Sequence, residues 1–262
     1  MAVIFEYGET RMFLIETHLH TSEASACGMV PGEDWPSYMK DKGFAGMIVT
    51  DHFFSGNSSV PGNLPWEERV RVYCSGYEHA RRAAEGIGFS VFFSVEYNFQ
   101  GDEYLLYGVD KEWLLDHPRL LAYSRRQVCD AVHEAGGIMI QAHPFRERHY
   151  LTKIHLTPDV TDGIEVYNAA NESYMNALAA AYAKKHHFPV TAGSDLHYYH
   201  DRALGGMLFE EMPLDIGEFV AAFRNGEGVP VRLLDGEITR VCDLPEECTV
   251  TRSSTLPVIL HR

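Results

Sequence analysis

The sequence predicts an α/β protein built from repeated strand-helix units, most simply a barrel of seven or eight strands. Three observations lead there. Short apolar runs alternate with amphipathic stretches along the chain, the pattern of parallel strands joined by helices. The 262 residues suit a single α/β barrel, and no Gly-, Ser- or Pro-rich linker divides them. One domain is therefore expected over 1–262, with its motifs at about 12–210 and an extension at about 229–262 that carries no evident chemistry. The structural alternative is a doubly wound open sheet, but no glycine-rich dinucleotide fingerprint follows the first strand.

Strands are predicted at 12–16 ("MFLIE"), 44–50 ("FAGMIVT"), 89–95 ("FSVFFSV") and 104–109 ("YLLYGV"), then at 137–142 ("GIMIQA"), 163–168 ("GIEVYN"), 188–193 ("FPVTAG") and 205–210 ("GGMLFE"). Helices are predicted at 33–42, 66–86, 119–135, 172–186 and 214–224; the fourth contains "NALAAAYAKK", of high intrinsic propensity. One connection breaks the alternation. Between Glu96 and Glu103 stands only "YNFQGD", too short for a crossover helix, so an antiparallel hairpin around Gln100-Gly101 is expected.

Bulk composition narrows the function. The net charge is −15, from 22 Lys plus Arg against 37 Asp plus Glu, which makes a nucleic-acid polymer an unfavourable partner. A small anion remains admissible if bound cations reverse the sign locally. Five scattered cysteines, Cys27, Cys74, Cys129, Cys242 and Cys248, form no C-x-x-C pair, which speaks against a disulfide framework and for a reducing cytoplasm. No apolar run approaches the roughly 18 residues of a membrane span, so no membrane partner is expected.

What stands after each strand is more informative. His18 and His20 follow the first, Asp51-His52 the second, Glu96 the third and His143-Pro144 follows "GIMIQA"; Glu165 and Asn168 close "GIEVYN", and Asp195 with His197 follows "FPVTAG". In a parallel barrel these ends share the C-terminal face, where active sites are built. Imidazole with carboxylate suits zinc, manganese or iron. His18, His20, His52, Glu96, His143, Asp195 and His197 exceed the roughly three protein ligands of one catalytic zinc, so at least two ions are expected. Two ions about 3.5–4 Å apart can acidify a bridging water and clamp both oxygens of a displacement, which favours hydrolysis.

The stretches "THLHTSE", "VTDHF", "SVEYN", "QAHPF" and "GSDLH", in this order, resemble the motifs of the polymerase and histidinol phosphatase (PHP) family. The likeness extends to its free-standing bacterial members, whose first motif runs along the lines of His20 to Gly28. The resemblance implies a distorted (β/α)7 TIM-like barrel, two or three divalent ions and phosphate-ester hydrolysis. It assigns His18, His20 and Asp195 to a first ion, Glu96 as a bridge, His143 to a second ion, and His52 and His197 to a third. Two positions depart from the family pattern. Ala26 stands where trinuclear members carry a histidine, leaving Glu23 as a possible substitute, and Glu103 stands where another histidine is frequent, close enough to Glu96 for a carboxylate ligand.

Arg146 could grip a phosphate bidentately, with Arg148 and Arg202 in similar positions. Asp51 and Asn168 are expected to orient ligating histidines, and Asp51 and Arg146 are the catalytic candidates besides the ligands. The segment 53–65 should overhang the site as a lid or as an inert insertion. His79, His117, His186 and His187 read as ordinary surface residues. The expectation is a cytoplasmic metal-dependent phosphoesterase in which a hydroxide held between ions attacks a small phosphorylated substrate. The rivals are hydrolysis of a cyclic diester, ester or amide at the same metals, and a non-catalytic structural or regulatory module.

Overall fold

In the computed structural model, residues 5–7 and 10–261 are described. The strands are β1 (Phe5–Tyr7), β2 (Thr10–Leu19), β3 (Gly46–Val49), β4 (Ser90–Phe93), β5 (Glu96–Phe99), β6 (Asp102–Tyr107) and β7 (Ile138–Ala142). They continue with β8 (Ile154–Leu156), β9 (Gly163–Asn168), β10 (Val190–Gly193), β11 (Leu204–Phe209), β12 (Val229–Leu234), β13 (Glu237–Arg240) and β14 (Val258–Leu260). The helices are α1 (Trp35–Asp41), α2 (Trp66–Tyr73), α3 (Ser75–Ala83), α4 (Lys111–Asp116), α5 (Arg125–Glu134), α6 (Ser173–His186), α7 (Ile216–Asn225) and α8 (Pro245–Cys248).

The fold is mixed α/β. One sheet runs β13-β12-β11-β2-β3-β4, with β1 beside β2; a second runs β10-β9-β7-β6-β5, and β14 pairs with β8. β2, β3 and β4 are parallel, as are β7, β9 and β10. Strands β3, β7, β9 and β11 are buried along their whole length, which is why they read as near-continuous apolar runs. The two larger sheets share no continuous ladder. Isolated parallel bridges join them, Leu19 to Leu196 and His52 to Glu96, both at strand ends that carry the expected ligands.

The hairpin forms as expected: β5 and β6 pair antiparallel, with Glu96 opposite Leu105, and Gln100 and Gly101 take φ of 52° and 106°, the left-handed region a tight turn uses. The strand near 205–210 does not follow the parallel pattern, since β11 runs antiparallel to both β2 and β12. The helix predicted over 66–86 divides at Cys74 into α2 and α3. Just after the break the chain passes close to its neighbours: a Cβ on Gly76, in the first turn of α3, would lie 2.1 Å from Thr21 Oγ1, and one on Gly32 would lie 2.0 Å from the Gly76 carbonyl oxygen. Ser124 and Gln127 close a reciprocal cap at the start of α5. Residues 229–240 extend the first sheet as β12 and β13. Among the described residues no helix is long and apolar enough to cross a membrane.

Candidate metal centre

The backbone delivers the ligands before any side chain acts. His18 donates its N–H to Glu16 Oε1, and Ser194 donates to the same oxygen, at 2.9 and 2.8 Å. The amides of Asp195 and Leu196 both donate to the His18 carbonyl, and His20 N donates to the Leu196 carbonyl. The ends of β2 and β10 are thereby held together, although 175 residues separate His20 from Asp195. On the other side, Glu96 N donates to Asp51 O and Phe53 N to Glu96 O. Two of the candidate ligands sit in the left-handed region, His143 at φ 28° and Asp195 at φ 57°; such strain persists only where the surroundings over-determine it. Gly193 is required by space, since a Cβ there would lie 2.7 Å from His18 Cβ and 3.0 Å from Glu165 Oε1.

All eight residues expected to ligate converge. His18, His20 and Glu96 form one group, His18, His143 and Asp195 a second, His52, Glu96 and Glu103 a third, and His20, His52 and His197 a fourth. In each the ligand atoms lie within 4.8 Å of one another. His18 Nε2 and His143 Nε2 are both 3.1 Å from Glu96 Oε1, His52 Nδ1 is 2.5 Å from Glu96 Oε2, and His20 Nε2 is 3.0 Å from Asp195 Oδ1. His18, His20 and Glu96 are essentially inaccessible to solvent.

The donor set fits divalent cations on an observation independent of residue type. His18 Nε2, His52 Nδ1 and Glu96 Oε2 are buried and make no hydrogen bond of regular geometry, although buried polar atoms are normally paired; instead they crowd together, with His52 Nδ1 2.5 Å from Glu96 Oε2. They face one another, so a cation among them would satisfy all three. The electrostatics agree. Burial would raise the Glu96 carboxyl, yet His52, His18 and His143 hold it well below the ordinary range. Asp195 behaves likewise through Arg146 and His18. Burial would lower His18, but Asp195, Glu165 and Glu96 raise it well above the usual imidazole value. His20 goes the other way, lowered well below it by burial and by His197 and His52.

Supporting groups fix the ligand rings. Glu165 Oε1 is 3.0 Å from His18 Nδ1, and its other oxygen accepts from His143 N and Asn168 Nδ2, an arrangement that sets tautomer and ring orientation. Asn168 is buried among these groups. Asp51 does not reach the reacting space. Its carboxylate accepts from Thr21 N, Thr21 Oγ1 and Ser25 Oγ, while Ser25 Oγ stands 3.1 Å from His20 Nδ1. Asp51 is therefore a positioning group for His20, and burial pushes its carboxyl up to about 6 against the Thr21 and Ser25 hydrogen bonds.

Arg146, expected to grip a phosphate, lies on the wall of the cavity over the cluster. Its guanidinium pairs with Asp195 Oδ2 at 2.5 Å and donates to Asn171 and Asn168, so its fork is already engaged. Glu23 lies outside the cluster, accepting from Gly32 N and standing 2.9 Å from His79 Nδ1. His79 is thus not an unengaged surface residue.

A cavity of about 890 Å³ opens over the cluster, lined among others by Cys27, Glu103, Arg148, Tyr150, His197 and Arg202. Ser55, Gly56 and Asn57 contribute to its wall, so segment 53–65 does overhang the site. It is pinned rather than loose: Ala26 N donates to Asn57 O and Ser59 N to Ala24 O, while Phe53 and Phe54 pack among Trp66, Tyr73 and Tyr97. Three site residues escape the strand-end reading. Glu16 points inward beneath the cluster, where burial pushes its carboxyl up to about 7 against the Ser194 and His18 hydrogen bonds. Ser25 relays Asp51 to His20. Cys27 faces the cavity, burial pushing its thiol up and hydrogen bonds with His197 and His52 bringing it down to about 6. The signal for Cys27 was its place one residue after Ala26.

Neither protein-family models nor curated proteins match this sequence. Solved structures do. A two-domain protein from Bacteroides vulgatus ATCC 8482, containing a predicted PHP-like metal-dependent phosphoesterase, is similar with a TM-score of 0.63 at 14% identity over 87% of this chain; the chain covers 66% of that protein. PsfC from Pseudomonas syringae PB-5123 gives 0.53 at 15% identity, with 85% and 91% covered. The lesion-specific endonuclease PfuEndoQ from Pyrococcus furiosus gives 0.50 at 15% identity, with 82% and 56% covered. The class that fold and site define is therefore an α/β protein of PHP-like fold, and at the level of fold the resemblance carried by the five motifs is met.

Proposed function

We propose that this chain is a PHP-family metal-dependent hydrolase that cleaves a phosphate ester of a small substrate. The observation that carries this reading is the convergence of eight histidine and carboxylate side chains, several of whose buried nitrogen and oxygen atoms make no hydrogen bond of regular geometry. In this reading the two larger sheets are the halves of one distorted (β/α)7 TIM-like barrel in a single domain, and the ligands crown its C-terminal face.

His18, His20, Glu96 and Asp195 would hold one ion, and Glu96, His143 and Glu103 a second. His52 and His197 would contribute to a third. Zinc, manganese and iron suit this mixture of donors. Divalent ions there supply Lewis acidity toward a phosphoryl oxygen and lower the pKa of a water towards ~7. The chain's own residues hold the geometry. Glu165 keeps the His18 ring in one tautomer, Asp51 acts on His20 through Ser25, and Arg146 clamps Asp195 while balancing its charge. Arg148 and Arg202, on the cavity wall, are the guanidinium groups offered to a substrate phosphate in place of Arg146. The net charge of −15 favours a small substrate over a polymer, and five free cysteines suit a reducing cytoplasm.

The test is to quantify metal after loading and to assay a panel of phosphate mono- and diesters, cyclic diesters, carboxylic esters, amides and short oligonucleotides. His18→Ala and Asp195→Asn serve as controls. At least two equivalents of metal, with phosphoester hydrolysis lost in both variants, are expected. Less than one equivalent under loading conditions, or hydrolysis unchanged in both variants, would sink the mechanism.

A further inference from the structure

Between β7 and β8 the chain crosses the cavity wall, to which it brings Arg146, Arg148 and Tyr150. No helix or strand runs through residues 143–153. Among the described residues their backbone closes two turns of its own, Arg146 N to His143 O and Leu151 N to Arg148 O. Arg146 is fixed on Asp195. The guanidinium of Arg148 instead donates to the Glu147 carbonyl at 3.2 Å and, among the described residues, forms no salt bridge. A stretch with so few bonds of its own presents a side chain to a substrate reproducibly only if something outside it holds it.

What holds it lies far along the chain. Glu147 Oε1 accepts from Ser254 Oγ at 2.9 Å and from Thr255 N at 2.8 Å, 107 and 108 residues away, and Glu147 Oε2 accepts from Thr255 Oγ1. Hydrogen bonds to an ionised carboxylate are among the stronger ones. The exit of the stretch is held from the same side: Ile154 N donates to Pro257 O, and β8 pairs with β14 and, among the described residues, with no other strand. Leu256 packs against the buried cluster that contains Phe145, Ile154 and Leu156. Arg252 in turn lies over the Tyr174 ring, 3.5 Å from its centroid, and pairs with Glu172 at 3.5 Å, which ties this part of the chain to the start of α6. None of residues 252–261 lines the cavity.

We infer that segment 252–261 is a strap that holds the substrate-facing stretch 146–153, with Glu147 as the positioning residue between them: its carboxylate is fixed by Ser254 and Thr255, and its carbonyl accepts from the guanidinium of Arg148. This rests on the reading of the cavity as the substrate site. An arginine that meets a phosphate equally in the ground state and the transition state contributes uniform binding, so loosening it weakens substrate affinity and spares turnover. His143 is held separately, by Glu165 through its backbone N–H, so the metal ligands keep their places.

The metal-loaded full chain is compared with Glu147→Ala, Thr255→Ala and Glu147→Gln by steady-state kinetics on phosphate esters, calorimetric titration with inorganic phosphate and hydrogen–deuterium exchange. The two alanine variants should raise KM and the phosphate Kd about tenfold, the scale of one hydrogen bond to a charged group, with kcat within about twofold of the parent. Bound metal should be unchanged and exchange over 146–153 faster. Glu147→Gln, which keeps an oxygen for Ser254 and Thr255, should stay close to the parent. Either the phosphate Kd or the exchange over 146–153 unchanged in Glu147→Ala overturns this inference and leaves the proposed function standing, and so does a fall in kcat with KM unchanged. A parent that binds phosphate but hydrolyses no ester overturns the proposed function alone, because the phosphate Kd and the exchange still decide the strap. A parent that does neither overturns both.

Discussion

Two clusters of histidine among the described residues differ in the charges that surround their imidazoles. His155 Nδ1 and His261 Nε2 stand 2.5 Å apart with their rings stacked, joined by the pairing of β8 with β14. Burial lowers His155, His261 lowers it further, and the opposing pull of Asp102 does not restore it. At the strand ends, by contrast, His18, His52 and His197 are all raised, because Glu96, Glu165 and Asp195 stand among them. Imidazoles gathered without a carboxylate disfavour an added proton, whereas imidazoles interleaved with buried carboxylates sit in a field that favours cations.

The most severe way to break the contrast is to remove the acid at its centre. Glu96→Gln should cost about one equivalent of metal or more and reduce hydrolysis about 100- to 1,000-fold, the scale of losing one preorganised electrostatic stabiliser. Metal analysis with steady-state rates checks this, and full metal content in the variant would refute the central role given to Glu96.

Glu16 sharpens the contrast from below. Its carboxyl is raised from 4.5 to about 7, so the unfolded chain ionises before the folded one. In metal-free protein this contribution to stability is intact below pH 4.5 and is lost as pH rises towards 7. Glu16→Gln should therefore gain about 3 kcal/mol over the parent at pH 8, at about 1.4 kcal/mol per pH unit, and almost nothing at pH 4.5. Urea unfolding at the two pH values measures the gap, and an equal gap at both would show that Glu16 is not the cause.

Glu165→Gln tests the ring-orienting acid without removing a ligand. Metal affinity should fall about 10- to 100-fold with ligand count unchanged, read by competition against a chelating dye; a loss as deep as that of Glu96→Gln would make Glu165 a ligand instead. The smallest effect belongs to the second cluster. His261→Ala should leave metal content and activity as they are and shift thermal stability only slightly, and any loss of bound metal would erase the distinction between the clusters.

Much of the centre was readable in the sequence because the code is local. A strand has period two, so His18 and His20 share a face whatever lies around them, and the Gln100-Gly101 turn follows from the short spacer between Glu96 and Glu103. The orienting role expected of Asp51 was readable, but the partners of Asp51 and Arg146 were not. Both carry charge at a strand end, but Asp51 is spent on Thr21 and Ser25, and Arg146 on Asp195 and two asparagines. The break at Cys74 was not readable either; just after it Gly76 passes close to Thr21 and Gly32, far away in sequence.

By itself the sequence determined residue type and phase: which strands end in imidazole or carboxylate, and that a hairpin interrupts the alternation. Tertiary structure decided pairing. That His18 meets Glu165 across 147 residues, that His20 meets Asp195 across 175, and that Cys27 shares a cavity wall with His52 and His197 depends on strand order and on the two bridges joining the sheets. Local chemistry fixes what a side chain can donate, whereas the burial and distance that decide what it meets exist only once the sheets have packed.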